Sequence, residues 1–157
     1  MADIAHTCAD IDGLRQLVHR TFHLDWGTGH CWLPIVNTAR GALFAEVIGQ
    51  NTQGAYFQPL DLTDRQRQPL YRLGFQLLDY LQAPPAVYLL QFQLSETGAI
   101  LFDRLIPFPD KPAMASIGVQ EPDLFECHWR CITHQPVRDI IISTTTTPLA
   151  FWERGWG

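Results

Sequence analysis

The sequence predicts an α+β fold: a single domain with a mainly antiparallel sheet and two principal helices packed on one face. Three observations carry this expectation. Apolar residues recur at helical spacing in two stretches, over 10–22 and 63–81. Elsewhere they alternate, or run in short blocks bounded by Gly, Pro and Asn, as strands do. The resulting order of helix, strands, helix, strands lacks the regular alternation of a parallel α/β chain.

The first helix is expected over Asp10 to Phe22, where Ile11, Leu14, Val18 and Phe22 form one stripe and Asp10 can cap the N-terminus. Gly27 and Gly29 break any continuation. A strand over Trp32 to Val36 follows, and Pro34, which has no N–H to donate, argues for an edge position. Leu43 to Ile48 and Ala55 to Phe57 read as a hairpin joined through 49–54. The second helix has capping-box spacing at Thr63 and Gln66 and a stripe of Leu70, Leu73, Leu77 and Leu81. Its regular part is expected to begin near Pro69, and Pro84-Pro85 ends it.

Strands are then expected over Val87 to Leu94 and Ala99 to Ile106, joined by the turn Ser95-Glu96-Thr97-Gly98. Pro107 to Pro112 is a proline-rich excursion that cannot pair inside a sheet. Leu124 to Thr133 and Val137 to Ser143 read as two further strands. The domain is expected to span 1–143, with 144–157 forming a Thr-rich linker and an aromatic C-terminal tail.

Composition narrows the functions. A chain of 157 residues with 46 % hydrophobic and 17 % charged residues can bury a core and is relatively poor in surface charge. Net charge is −5, and the arginines, from Arg15 to Arg154, form no basic stripe, which argues against nucleic acid as a partner. No run reaches the roughly 18 apolar residues of a membrane span. The start of the chain lacks the basic and apolar stretches of a signal peptide, so a cytoplasmic location is expected. Four irregularly spaced cysteines make a poor disulfide framework and suggest reduced thiols. No phosphate loop, dinucleotide fingerprint or Gly-x-Ser-x-Gly elbow is present, so no cofactor is assigned.

The densest chemistry lies in Cys127-His128-Trp129-Arg130-Cys131-Ile132-Thr133-His134. Cys127, Cys131 and His134 could ligate zinc, with His128, Cys31 or His30 completing four. Read as a strand, the same segment turns Phe125, Cys127, Trp129, Cys131 and Thr133 to one face and Glu126, His128 and Arg130 to the other. That first set resembles a core face, and core packing is favoured over a metal. Asp103, Glu126, His128 and Arg130 could form an acid–base site if they converge on the open sheet face, with cross-strand ion pairs as the ordinary alternative. Phe108, between two prolines, and the tail residues Phe151, Trp152 and Trp156 suit contact with another protein or self-association.

The leading expectation is a non-catalytic interaction or assembly domain, chaperone-like, acting through apolar surface and its C-terminal tail. The alternative is a small enzyme or small-molecule-binding domain with a polar site on the open sheet face. A structural zinc domain is a second alternative.

Overall fold

The structure, a computed structural model, describes residues 3–143. The expected tail residues Phe151, Trp152 and Trp156 lie outside them. The fold is α+β with a mainly antiparallel six-stranded sheet. Its strands are β1 (Cys31–Thr38), β2 (Gly41–Phe44), β3 (Ile48–Gln50), β4 (Tyr56–Phe57), β5 (Ala86–Leu94) and β6 (Ile100–Ile106). They run in the order β4-β3-β1-β5-β6, with β2 also paired to β1.

Helices α1 (Ile4–Ala9), α2 (Ile11–Phe22) and α3 (Asp64–Leu81) cover one face. The Asp10 carboxylate accepts from Gly13 N–H and starts α2, as expected. In α3 the capping box is formed: Thr63 Oγ1 accepts from Gln66 N–H while Gln66 Oε1 accepts from Thr63 N–H. The helix therefore starts at Asp64 and carries Pro69 inside it. Leu14, Val18, Leu70, Leu73 and Leu77 pack on Leu33, Ile35, Tyr88, Leu90 and Phe92 of the sheet. Gly74 permits the close approach of α3, since a Cβ there would lie 2.9 Å from Ile35 Cδ1.

The second face is where expectation and structure part. Residues 124–132 form a helix, α4 (Leu124–Ile132), in place of the expected strand. Asp103 apart, this moves every residue of the expected acid–base site, and both cysteines of the zinc proposal, onto a helix. Asp123 caps it by accepting from Glu126 N–H. Leu124, Cys127 and Cys131 turn inward, while Phe125 and Trp129 stay exposed. They close a second core with Val36, Val87, Leu89 and Val137. A 3-10 helix over Lys111–Ser116 flanks it. Of the expected strand over 137–143 only Ile141–Ile142 is extended (β8), paired with Gln120–Glu121 (β7) in a separate ladder.

Pro34 also departs from expectation, because β1 is central, with β5 on one side and β2 and β3 on the other. The β1 register shifts by one residue between β2 and β3, and Pro34 O accepts from Ala45 N–H at that irregularity. A residue without an N–H is tolerated where the ladder is already broken. The expected 43–48 strand is correspondingly split in two. The outer edge of β6 is covered by residues 25–27, through Phe102 N–H to Asp25 O and Gly27 N–H to Phe102 O. Among the described residues no helix is long and apolar enough to cross a membrane.

Candidate functional site

The site begins with one inserted residue. Leu89, Leu90 and Gln91 of β5 pair with Ile106, Leu105 and Arg104, but Phe92 pairs with Phe102. Asp103 is thus the extra residue of a β-bulge, a device that re-aims a side chain. Its carboxylate is fully buried. Oδ1 accepts from Arg15 Nη2 at 2.7 Å and from Arg104 Nε at 2.9 Å, and Oδ2 accepts from Gly29 N–H at 2.8 Å. Arg15 Nε also donates to the Asp103 carbonyl at 2.9 Å. Burial alone would raise this carboxyl, but the Gly29 N–H and the two guanidiniums outweigh it and hold it below its ordinary value.

Glycine is required at position 29, because a Cβ there would run into the Phe92 backbone. Its carbonyl accepts from Gln91 Nε2 at 2.7 Å, and the next residue, His30, donates its N–H to Gln93 Oε1 at 3.3 Å. Two glutamines on one face of β5 therefore tie down the segment whose amide holds Asp103.

Gln91 and Gln93 continue the face that begins with Val87 and Leu89, and Arg104 stands opposite Gln91. Trp32 is Gln91's partner on the other side, with its ring edge-on to Tyr56 at 5.3 Å. Helix α4 covers the Val87–Leu89 end, leaving Gln91, Gln93 and Arg104 half-buried at the other. The Nη groups of Arg104 make no hydrogen bond among the described residues. Two guanidiniums against one carboxylate leave the cluster one positive charge in excess. Neutral amides and a cation, with the nearby acid already committed, suit an anion better than a metal ion.

Of the expected site residues, only Asp103 lies here. Glu126 and Arg130 pair with each other on the surface of α4 at 2.9 Å. His128 Nδ1 accepts from Val87 N–H at 3.1 Å, which pins α4 to the start of β5, and burial lowers its pKa. Val87 is four residues from Gln91, roughly 13 Å along a strand, so these side chains do not converge with Asp103. Cys127 and Cys131 sit one helical turn apart in the apolar second core, where burial pushes their thiols up to about 12 and about 11. Among the described residues no group of three or more His, Cys, Asp or Glu is placed to hold a metal. Phe108 is 46 % exposed at the rim of a mainly apolar cavity of about 370 Å³, lined also by Ile4, Cys8, Ile11, Leu105 and Arg104.

Gln91, Gln93 and Arg15 were not singled out as site residues by the sequence, and Gly29 was read only as a break after the first helix. The available signal was two glutamines alternating within an otherwise apolar strand.

No protein-family model matches the sequence, and no curated protein matches it. Solved structures do share the fold. N5-carboxyaminoimidazole ribonucleotide synthetase from Thermotoga maritima matches at 15 % identity and TM-score 0.61, covering 74 % of this chain and 31 % of that one. The Staphylococcus aureus N5-carboxyaminoimidazole synthetase, complexed with ADP, matches at 13 % identity and TM-score 0.62, covering 76 % and 33 %. Glycinamide-RNase-transformylase T from Mycobacterium tuberculosis matches at 18 % identity and TM-score 0.72, covering 85 % and 51 %. The chain thus spans a third to a half of the proteins it resembles.

These findings correct the leading expectation. A non-catalytic assembly domain acting through apolar surface and a tail does not stand, because the fold recurs as a portion of enzymes named for small-molecule chemistry. The alternative of a polar site on the open sheet face accords better with them.

Proposed function

We propose that this chain is a small-molecule-binding domain that takes a phosphate-bearing ligand, a nucleotide in the first instance, at the open end of the sheet's second face. The observation that carries the reading is Arg104. Its Nε is fixed on the buried Asp103 carboxylate, while its Nη groups are uncommitted among the described residues, on a half-exposed surface. A guanidinium held in one orientation meets phosphate oxygens with little further loss of freedom. Gln93 Nε2 is a second available donor, and Trp32 and Tyr56 give the polar strip an aromatic flank. The ADP complex of the Staphylococcus aureus synthetase supports a nucleotide as the first ligand to try.

The role is binding rather than acid–base chemistry. Asp103 is ionised across the neutral range, so it has no proton to donate. With both oxygens held by three donors and its pKa lowered, it is a poor proton acceptor. Isothermal titration with ADP tests the reading, using the full chain and Arg104→Gln. Saturable binding that weakens about tenfold in the variant is expected, the loss of one charge-assisted contact. No binding to the parent, or equal affinity in the variant, refutes it.

A further inference from the structure

A second concentration of positive charge lies at the other end of β1. The β1–β2 turn and the loop after α4 together line a cavity of about 510 Å³, whose walls among the described residues carry Arg40, His134 and Arg138 and no acidic side chain. The protein carries a net charge of −5, yet neither Arg40 nor Arg138 makes an ion pair among the described residues. Arg15, Arg67, Arg104 and Arg130 each face a carboxylate.

Both segments are held from within. Thr38 Oγ1 donates to Gly41 O at 2.7 Å and accepts from Arg40 N–H at 3.1 Å. Gln135 N–H donates to Arg130 O at 2.7 Å, His134 takes a left-handed φ of 60°, and Val137 is buried in the second core. The backbone is thereby fixed while the charged side chains remain exposed.

We infer that this cavity is a binding site for a small phosphomonoester. A phosphomonoester carries a charge of about −1.5 to −2 and three acceptor oxygens, enough to engage both guanidiniums, whereas one carboxylate would leave a guanidinium unmatched. The cavity is of the size that holds a small organic ligand, and Ala39, Pro136 and Val137 offer apolar wall for its body. Thr38 is six residues along β1 from Trp32, roughly 20 Å, so this site is separate from the one at Arg104.

Phenyl phosphate titrated into the isotope-labelled full chain tests the inference, with benzoate as the carboxylate counterpart. Saturable amide shifts at residues 38–41 and 134–138 are expected, with benzoate at least about tenfold weaker. The double variant Arg40→Gln/Arg138→Gln changes two exposed side chains and keeps the fold, read from its unaltered remaining spectrum. It should bind phenyl phosphate at least about tenfold more weakly, whereas Arg104→Gln should bind it with parental affinity. Equal affinity for benzoate, equal affinity in the double variant, or shifts confined to Gln91, Gln93 and Arg104 would overturn it.

Discussion

Replacing Asp103 by Asn keeps the shape of the bulged side chain and removes its charge. In the parent this carboxylate joins α2 to β6 through Arg15, and orients Arg104 and the Gly29 amide. The variant leaves two guanidiniums facing each other across a neutral amide that can satisfy only part of the former donor set. Removing one partner of a buried ion pair costs about 3–5 kcal/mol when the other is left stranded. Here the stranded side chains are 18 % and 38 % exposed and regain some water, which lowers the expectation to about 2–4 kcal/mol. In a domain of this size that corresponds to a melting temperature lower by roughly 5–15 degrees. Urea unfolding followed by tryptophan fluorescence measures it.

The pH dependence gives a second reading of the same variant. The folded pKa of Asp103 is lowered, so its stabilisation is present above the ordinary carboxylate value and lost as pH falls through that value toward the folded one. The parent's advantage over Asp103→Asn should therefore be full at neutral pH and shrink below about pH 4. A variant within about 0.5 kcal/mol of the parent at neutral pH, or a gap that does not shrink in acid, would refute the reasoning.

On α3, Leu73→Ala and Leu77→Ala should each cost about 2–5 kcal/mol by emptying buried sites, while exposed Arg72→Ala should change stability by less than about 0.5 kcal/mol. Equal costs in chemical denaturation would misplace the buried face. On α4, His128→Ala removes the acceptor for Val87 N–H and should cost about 1–2 kcal/mol. Because burial lowers the His128 pKa, the parent should lose this contribution as pH falls below the ordinary value of 6.5, and the alanine variant should lack that step.

What the sequence made legible were elements with redundant signals. In α3 the capping box, the leucine stripe and the terminating prolines agree on one helix. The segment 124–132 was ambiguous for a definable reason. Cys127 and Cys131 are four apart, and positions i and i+4 share a face in both a strand and a helix. The discriminating residues were Leu124, which only the helix buries beside them, and Phe125 and Trp129, which only the strand would bury. Asp123 and Glu126, at capping spacing, pointed the same way. The bulge at Asp103 left no comparable mark, since one inserted residue in a ladder changes neither composition nor average alternation. Thus the acid was recognised while the arginine from α2, the glycine amide and the two glutamines around it were not.

The helical form of 124–132 also explains why one end of this sheet face keeps a polar strip. Nine residues of helix reach roughly 13 Å, whereas the nine residues of β5 run roughly 30 Å. One short helix therefore cannot cover the face, and the sequence of β5 changes from Val87 and Leu89 to Gln91 and Gln93 where α4 no longer covers it. Solvation alone would account for glutamines there. It does not account for a fully buried carboxylate beneath them, because removing an ionised acid from water costs several kcal/mol unless donors replace the lost hydration. Three donors do so here, and one of them, Arg104, is left half-exposed with its remaining N–H groups uncommitted among the described residues. An exposed surface needs no such anchor, whereas a cation that must hold one orientation to meet an anionic ligand does.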